Sequence, residues 1–127
     1  MSMRSLRAMS CLLALSVLAC SSPTEPRQLH VIAAANTVTI SNPNNWTVFY
    51  LLANPQFLAL ADLALCEDPS MPCPRVPPRG SVQVAYTDIV GYEAGETEAT
   101  LWEWRLERQL DGTYRSRDVQ TTNLTLH

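Results

Sequence analysis

The chain contains no lysine, so all nine basic side chains are arginines, and twelve acidic residues leave a net charge of −3. Binding a nucleic-acid backbone rests on a basic patch, and this balance argues against such a partner. Histidine is equally scarce: His30 and His127 are the only two, and no G-x-S-x-G segment occurs. Nucleophilic catalysis therefore has little to draw on, and the chain reads as a non-enzyme with no cofactor. No C-x2-C pair suggests a structural zinc site or a redox centre. No apolar run reaches the roughly 20 residues that a transmembrane helix needs. Long stretches of period 3.6 and internal repeats are also missing. With 127 residues, the expectation is one domain with a small core.

What is present begins with "MSMRSLRAMSCLLALSVLA", residues 1–19, which reads as an export signal. Arg4 and Arg7 supply its positive start, and Ala8 to Ala19 form a nearly unbroken apolar run of twelve. Its end, Val17-Leu18-Ala19-Cys20, resembles the lipobox of bacterial lipoproteins, which are cleaved before the cysteine and acylated on it. The resemblance implies lipidation of Cys20, a membrane anchor through that lipid, and a tether over residues 20–28. It also implies that Ser21, standing where an aspartate would favour retention at the inner membrane, favours the outer membrane. The segment "SSPTEPR" that follows would reach at most about 25 Å. Cleavage would leave seven arginines against twelve acidic residues, a net charge of −5. It would also remove Cys11 and commit Cys20, leaving only Cys66 and Cys73 to pair with each other.

Residues 29–127 read as short strands punctuated by turns. Leu29 to Ala34 is the first. Thr37 to Ser41 alternates, with Val38 and Ile40 on one face. "NPNN", 42–45, is a turn by composition. Trp46 to Leu52 is apolar on both faces. Residues 55–65 are ambiguous: Asn54 and Pro55 suit the cap and first position of a short helix, but the β surroundings favour a strand. Residues 67–80 hold five prolines and cannot be a regular central strand. Ser81 to Tyr86 alternates again. "DIVGYEAGE" is a turn region, and Glu98 to Leu110 is the longest strand. Asp111-Gly112 signals a two-residue hairpin, with returning strand material at 114–119 and 124–126.

About seven short strands, turns at intervals of about ten residues and roughly a hundred residues predict an all-β fold, an antiparallel immunoglobulin-like β-sandwich. Together "TVTISNPNNWTVFYL", the C-x6-C loop, "PPRGSVQVAYTDIVGY" and "EATLWEWRL" resemble a group of uncharacterised small bacterial lipoproteins with an immunoglobulin-like domain. That resemblance implies fold and location, not activity.

Candidate chemistry is limited. Cys66 and Cys73 enclose six residues, and in an exported protein they should form a disulfide worth about 2.5 kcal/mol. The alternative is a soft or mixed metal site built with Met71, Glu67 and Asp68, for example for copper(I). Glu93, Glu96 and Glu98 cluster; Glu96 and Glu98 would lie about 6.5–7 Å apart in an extended chain, near an inverting-glycosidase spacing, yet a solvated hairpin edge is the simpler reading. Trp102 and Trp104 share one strand face, opposite Leu101, Glu103 and Arg105. Exposed, they would make a carbohydrate-binding platform with Tyr92 a further candidate; buried, they would be core, which the charge on the opposite face favours. These readings converge on a membrane-anchored accessory with a protein partner in the envelope, acting through its sheet edges or its proline-rich loop.

Overall fold

A computed structural model describes residues 25–60 and 65–127. The predicted signal segment, Cys20 and residues 21–24 lie outside the described residues. Seven antiparallel strands build two sheets: β1 (His30–Ala34), β2 (Thr37–Ser41), β3 (Val48–Ala53), β4 (Arg75–Val76), β5 (Ser81–Ala85), β6 (Glu98–Arg108) and β7 (Tyr114–Thr125). One sheet has the order β1-β2-β5 and the other β4-β3-β6-β7. The expected immunoglobulin-like sandwich is the fold observed, with β4 paired to β3 and the chain crossing between sheets after β2, β4 and β5.

Period-two alternation puts one set of side chains from each sheet into the shared interior. Val38 and Ile40 from β2, Val76 from β4 and Leu101 from β6 are almost wholly inaccessible. Each contributes about 1.5–3 kcal/mol by leaving water. Val48, Leu52, Ala99, Tyr86, Ile89 and Leu126 complete the centre, and Leu29 seals it on the N-terminal side.

The pairings place the loops at two ends. His30 pairs with Ser41, and Ser41 with Ser81. Val48 pairs with Val76, and Arg108 with Tyr114. The start of β1, the loops 42–47 and 77–80 and the β6–β7 hairpin therefore share one end, here called the upper end. The β1–β2 turn, the segment 86–97 and the C-terminus share the lower end, where the Tyr86 N–H donates to the Asn36 carbonyl.

Several local expectations are corrected. Residues 55–60 form not a strand but a helix, α1 (Pro55–Leu60). Asn54 is buried and its Oδ1 accepts the Gln56 N–H at 2.7 Å, while its carbonyl accepts the Leu58 N–H. Capping by Asn54 with proline at the first helical position outweighs the β context. Leu65 is not in a strand either, and residues 61–64 lie outside the description. Tyr86 leaves β5 and opens a short 3-10 turn over Tyr86–Asp88.

The hairpin between β6 and β7 also differs from the two-residue form. Gln109 and Thr113 close a three-residue loop, with the Gly112 N–H donating to Gln109 and Gly112 at φ +86°. That left-handed glycine follows a tight turn, the geometry of a three-residue hairpin. Beyond it β7 is continuous over twelve residues. Its one irregularity is a bulge: Glu103 faces Gln120 but Arg105 faces Arg117, so β7 carries an extra residue here. Asp118 lies within it at φ +56°.

Candidate functional site

Residues 65–74 of the β3–β4 connection lie over the outer face of the four-stranded sheet and are held by four sets of contacts. Cys66 and Cys73 are bonded, with their Cα atoms 6.4 Å apart. The Arg75 guanidinium donates to the carbonyls of Pro69 (3.0 Å), Met71 (2.6 Å) and Cys73 (3.2 Å). Its carbon also lies 4.8 Å from the centre of the Phe49 ring, a cation–π contact. From β6, the Trp104 indole N–H donates to the Cys66 carbonyl at 2.9 Å, and its ring stacks on Phe49 at 6.5 Å. A loop without ladder partners is thus fixed by one disulfide, one arginine and one indole. At its tip Asp68 accepts the Ser70 N–H and hydroxyl; the hydroxyl bond, then the backbone bond, holds its carboxyl below the usual range.

Between this loop and β3 lies a cleft of about 370 Å³ walled by Tyr50, Leu51, Met71, Pro72, Pro74 and Trp104, with the disulfide at its edge. The wall is overwhelmingly apolar, and burial raises the Tyr50 phenol above its ordinary pKa. Tyr50, Leu51 and Pro74 also border a neighbouring recess of about 300 Å³, reaching Gln83 and Val84 on β5 and Val90 beyond it. This recess follows the edge of β3. The Tyr50 N–H donates to Pro74, and the Leu52 carbonyl accepts from Val90. Only Leu51 separates those two bonds; β4 pairs with Val48 and Phe49 before them and Val90 bridges Ala53 after them, so the edge of β3 is covered on both sides of the recess. Size and lining suit an extended apolar segment.

The tryptophans are divided. Both belong to the outer face of the sheet, so the expected division of β6 is reversed: Leu101 and Glu103 point into the sandwich interior, and Glu103 is only 4% exposed. Trp104 is buried, but beneath the loop and not between the sheets. Trp102 is partly exposed, with an indole N–H that is unpaired among the described residues. The two rings do not form a flat exposed pair. Tyr92 packs at the lower end against the core and Tyr86, with ring centres 6.2 Å apart.

Glu93 and Glu98 are exposed and Glu96 is partly covered; all three lie at the lower end. No group of three or more His, Cys, Asp or Glu side chains is placed to share a metal among the described residues.

The important polar residues that sequence reasoning missed lie elsewhere. Asn42 donates through Nδ2 to the carbonyls of Trp46, Val76 and Pro77, while its Oδ1 accepts from the Asn44 backbone and side chain. Asn44 in turn exchanges two hydrogen bonds with the Arg27 backbone. Glu103 accepts the Leu29 N–H beside a small cavity of about 20 Å³ lined by Arg27, Asn44, Trp46, Arg105 and Asp118. Burial raises the Glu103 pKa, partly countered by the Leu29 bond. The Arg105 guanidinium lies 4.8 Å from the Trp46 ring centre, and its Nε is 2.6 Å from Asp118 Oδ2. That approach lies off the N–H axis, so it is an ion pair and not a hydrogen bond.

Compared with protein-family models, curated proteins and solved structures, the chain matches none.

Proposed function

We propose that the protein is a lipid-anchored envelope lipoprotein whose immunoglobulin-like domain binds an extended, apolar segment of a partner protein. The observation that carries this reading is the apolar cleft beside the disulfide loop and the adjoining recess past Leu51 and Leu52. Adjoining apolar recesses of this size take successive side chains of an extended segment and supply both affinity and selectivity. Anchoring rests on the sequence: Arg4 and Arg7 before an apolar run, Ala19-Cys20, then a short polar tether. Export through that signal also suits a disulfide at Cys66 and Cys73. In this reading the loop acts as a preformed wall, so little ordering cost attends binding.

The carbohydrate reading based on Trp102 and Trp104 has less to support it. Stacking on a sugar needs an open ring face, and only Trp102 lies partly at the surface.

The test is site-specific photocrosslinking in intact cells of the native host. A crosslinker replacing Met71, which is 54% exposed at the cleft, should capture a discrete protein adduct. One replacing Ile32, exposed on the opposite sheet, should not. Equal capture at both positions, or none at Met71, overturns the reading. Cys20→Ala should release the protein from membranes; continued membrane association would overturn the anchoring.

A further inference from the structure

Arginine is concentrated at the upper end of the sandwich, where it is interleaved with Glu103, Glu107, Asp111 and Asp118, whereas the lower end is acidic only. Of the seven arginines that follow Cys20, Arg27, Arg79, Arg105, Arg108, Arg115 and Arg117 lie on the loops and strand ends of the upper end. The lower end carries Asp88, Glu93, Glu96 and Glu98, with no arginine anywhere between residues 86 and 98. The N-terminal segment joins the fold at the arginine end. Arg27 is bonded to Asn44, and Pro26 and Arg27 border the same cavity as Arg105 and Asp118.

From the level of Arg105 the β6–β7 hairpin continues past the sandwich. Three further strand residues, Leu106 to Arg108, carry it about 10 Å on, and the Gln109–Thr113 turn lies beyond them. At that tip Leu110 is completely exposed, held by the closed Gln109–Thr113 turn and by Asp111, which accepts the Thr113 N–H and hydroxyl. Below it Arg117 is paired with Glu107 at 2.7 Å and Arg105 with Asp118. Arg108 and Arg115 have no carboxylate partner among the described residues and flank the tip. Five residues separate Pro26 from Cys20, six Cα steps with a reach of at most about 20 Å. The tether is therefore long enough to let the hairpin tip reach the bilayer.

We propose that the β6–β7 hairpin is a second membrane contact, with Leu110 inserting at the surface of an anionic bilayer and Arg108 and Arg115 engaging its phosphates. The inference rests on the anchoring of Cys20 proposed above. It fixes the orientation of the domain: the hairpin end faces the bilayer, and the acidic lower end faces away from it. Asp111 is turned back onto Thr113 and Glu107 is paired with Arg117, so the groups left to meet an interface are the apolar Leu110 and the cations of Arg108 and Arg115.

The test uses the full lipidated chain reconstituted in vesicles of phosphatidylethanolamine and phosphatidylglycerol. A polarity-sensitive dye is attached to Leu110→Cys and, separately, to Glu96→Cys. Emission from position 110 should shift to the blue and be quenched by a headgroup-level nitroxide lipid, whereas position 96 should show neither effect. Arg108→Gln with Arg115→Gln should reduce contact at the tip by roughly an order of magnitude, as should substitution of phosphatidylcholine for the anionic lipid. In both cases the protein should remain on the vesicles. Vesicle-bound protein with no quenching at 110, or with stronger quenching at 96, overturns the hairpin contact and leaves the anchor standing. Protein that fails to float with the vesicles overturns both.

Discussion

The carboxylate of Glu103 accepts the backbone N–H of Leu29 at 3.0 Å, tying the centre of β6 to the residue on which the N-terminal segment joins the sandwich. Burial raises this carboxyl above its ordinary value of 4.5, so the folded state holds a proton more tightly than the unfolded chain. Stability should therefore fall as pH rises from about that value through the raised one. Urea midpoints measured between pH 4.5 and 8 should show this slope, and Glu103→Gln should flatten it. Asp68 and Asp111, held low by hydrogen bonds from Ser70 and Thr113, act in the opposite sense. Their contribution should be lost only as pH falls below about 3.8, which separates the two effects.

Trp104 and the disulfide restrain the same loop, so their removal should not be additive. Cys66→Ser with Cys73→Ser should cost about 2.5 kcal/mol. Trp104→Phe, which deletes the donor to Cys66, should cost about 1–2 kcal/mol. A denaturant-based double-mutant cycle should give a combined loss smaller than the sum by at least about 0.5 kcal/mol.

The β1–β2 turn is stabilisable. Ala35 and Asn36 both adopt positive φ, +53° and +63°, the two-residue hairpin geometry that favours Asn-Gly. An alanine there carries a steric cost. Ala35→Asn with Asn36→Gly should raise stability by about 1 kcal/mol, seen as a higher urea midpoint with an unchanged slope, because the bond from Tyr86 to the backbone carbonyl of residue 36 remains available.

Asn42→Ala should be the most damaging single polar substitution. It removes the donor to Trp46, Val76 and Pro77 and the acceptor for Asn44 in a buried setting. A loss of about 3 kcal/mol is expected, measured by thermal or chemical unfolding. Pro43 and Asn45 lie outside this network, and Asn45→Ala should cost well under 1 kcal/mol; among the described residues its side chain accepts only from the exposed Arg79.

The strands were legible because burial in a sandwich writes a period of two into the chain: Val38 and Ile40, then Val82 and Val84, announce their faces directly. The Cys66–Cys73 bond was also legible, since those cysteines had no other partner once Cys20 was assigned to lipid. The facing of β6 was not. Leu101, Glu103 and Arg105 suggested a wet face, whereas Glu103 is retained inside by the Leu29 amide and Arg105 lies over Trp46. The signal for it is the C-x6-C loop itself, whose prolines and cysteines need an apolar floor, which Phe49 and Trp104 supply. The cleft depends on how that connection lies across the sheet, a long-range packing outcome that local periodicity does not encode. Asn54-Pro55 was the reverse case: the helix signal was present in the sequence and was outweighed by its β surroundings.

The extra residue in β7 has a consequence for how copies of the domain behave when crowded. β7 is an edge strand, twelve residues long, with a rim of backbone groups able to accept another chain. Asp118 at positive φ interrupts that rim midway and takes charge from Arg105 to the same point, so no long straight run is offered to a neighbour. One residue out of register thus keeps closely spaced molecules from knitting into a continuous sheet.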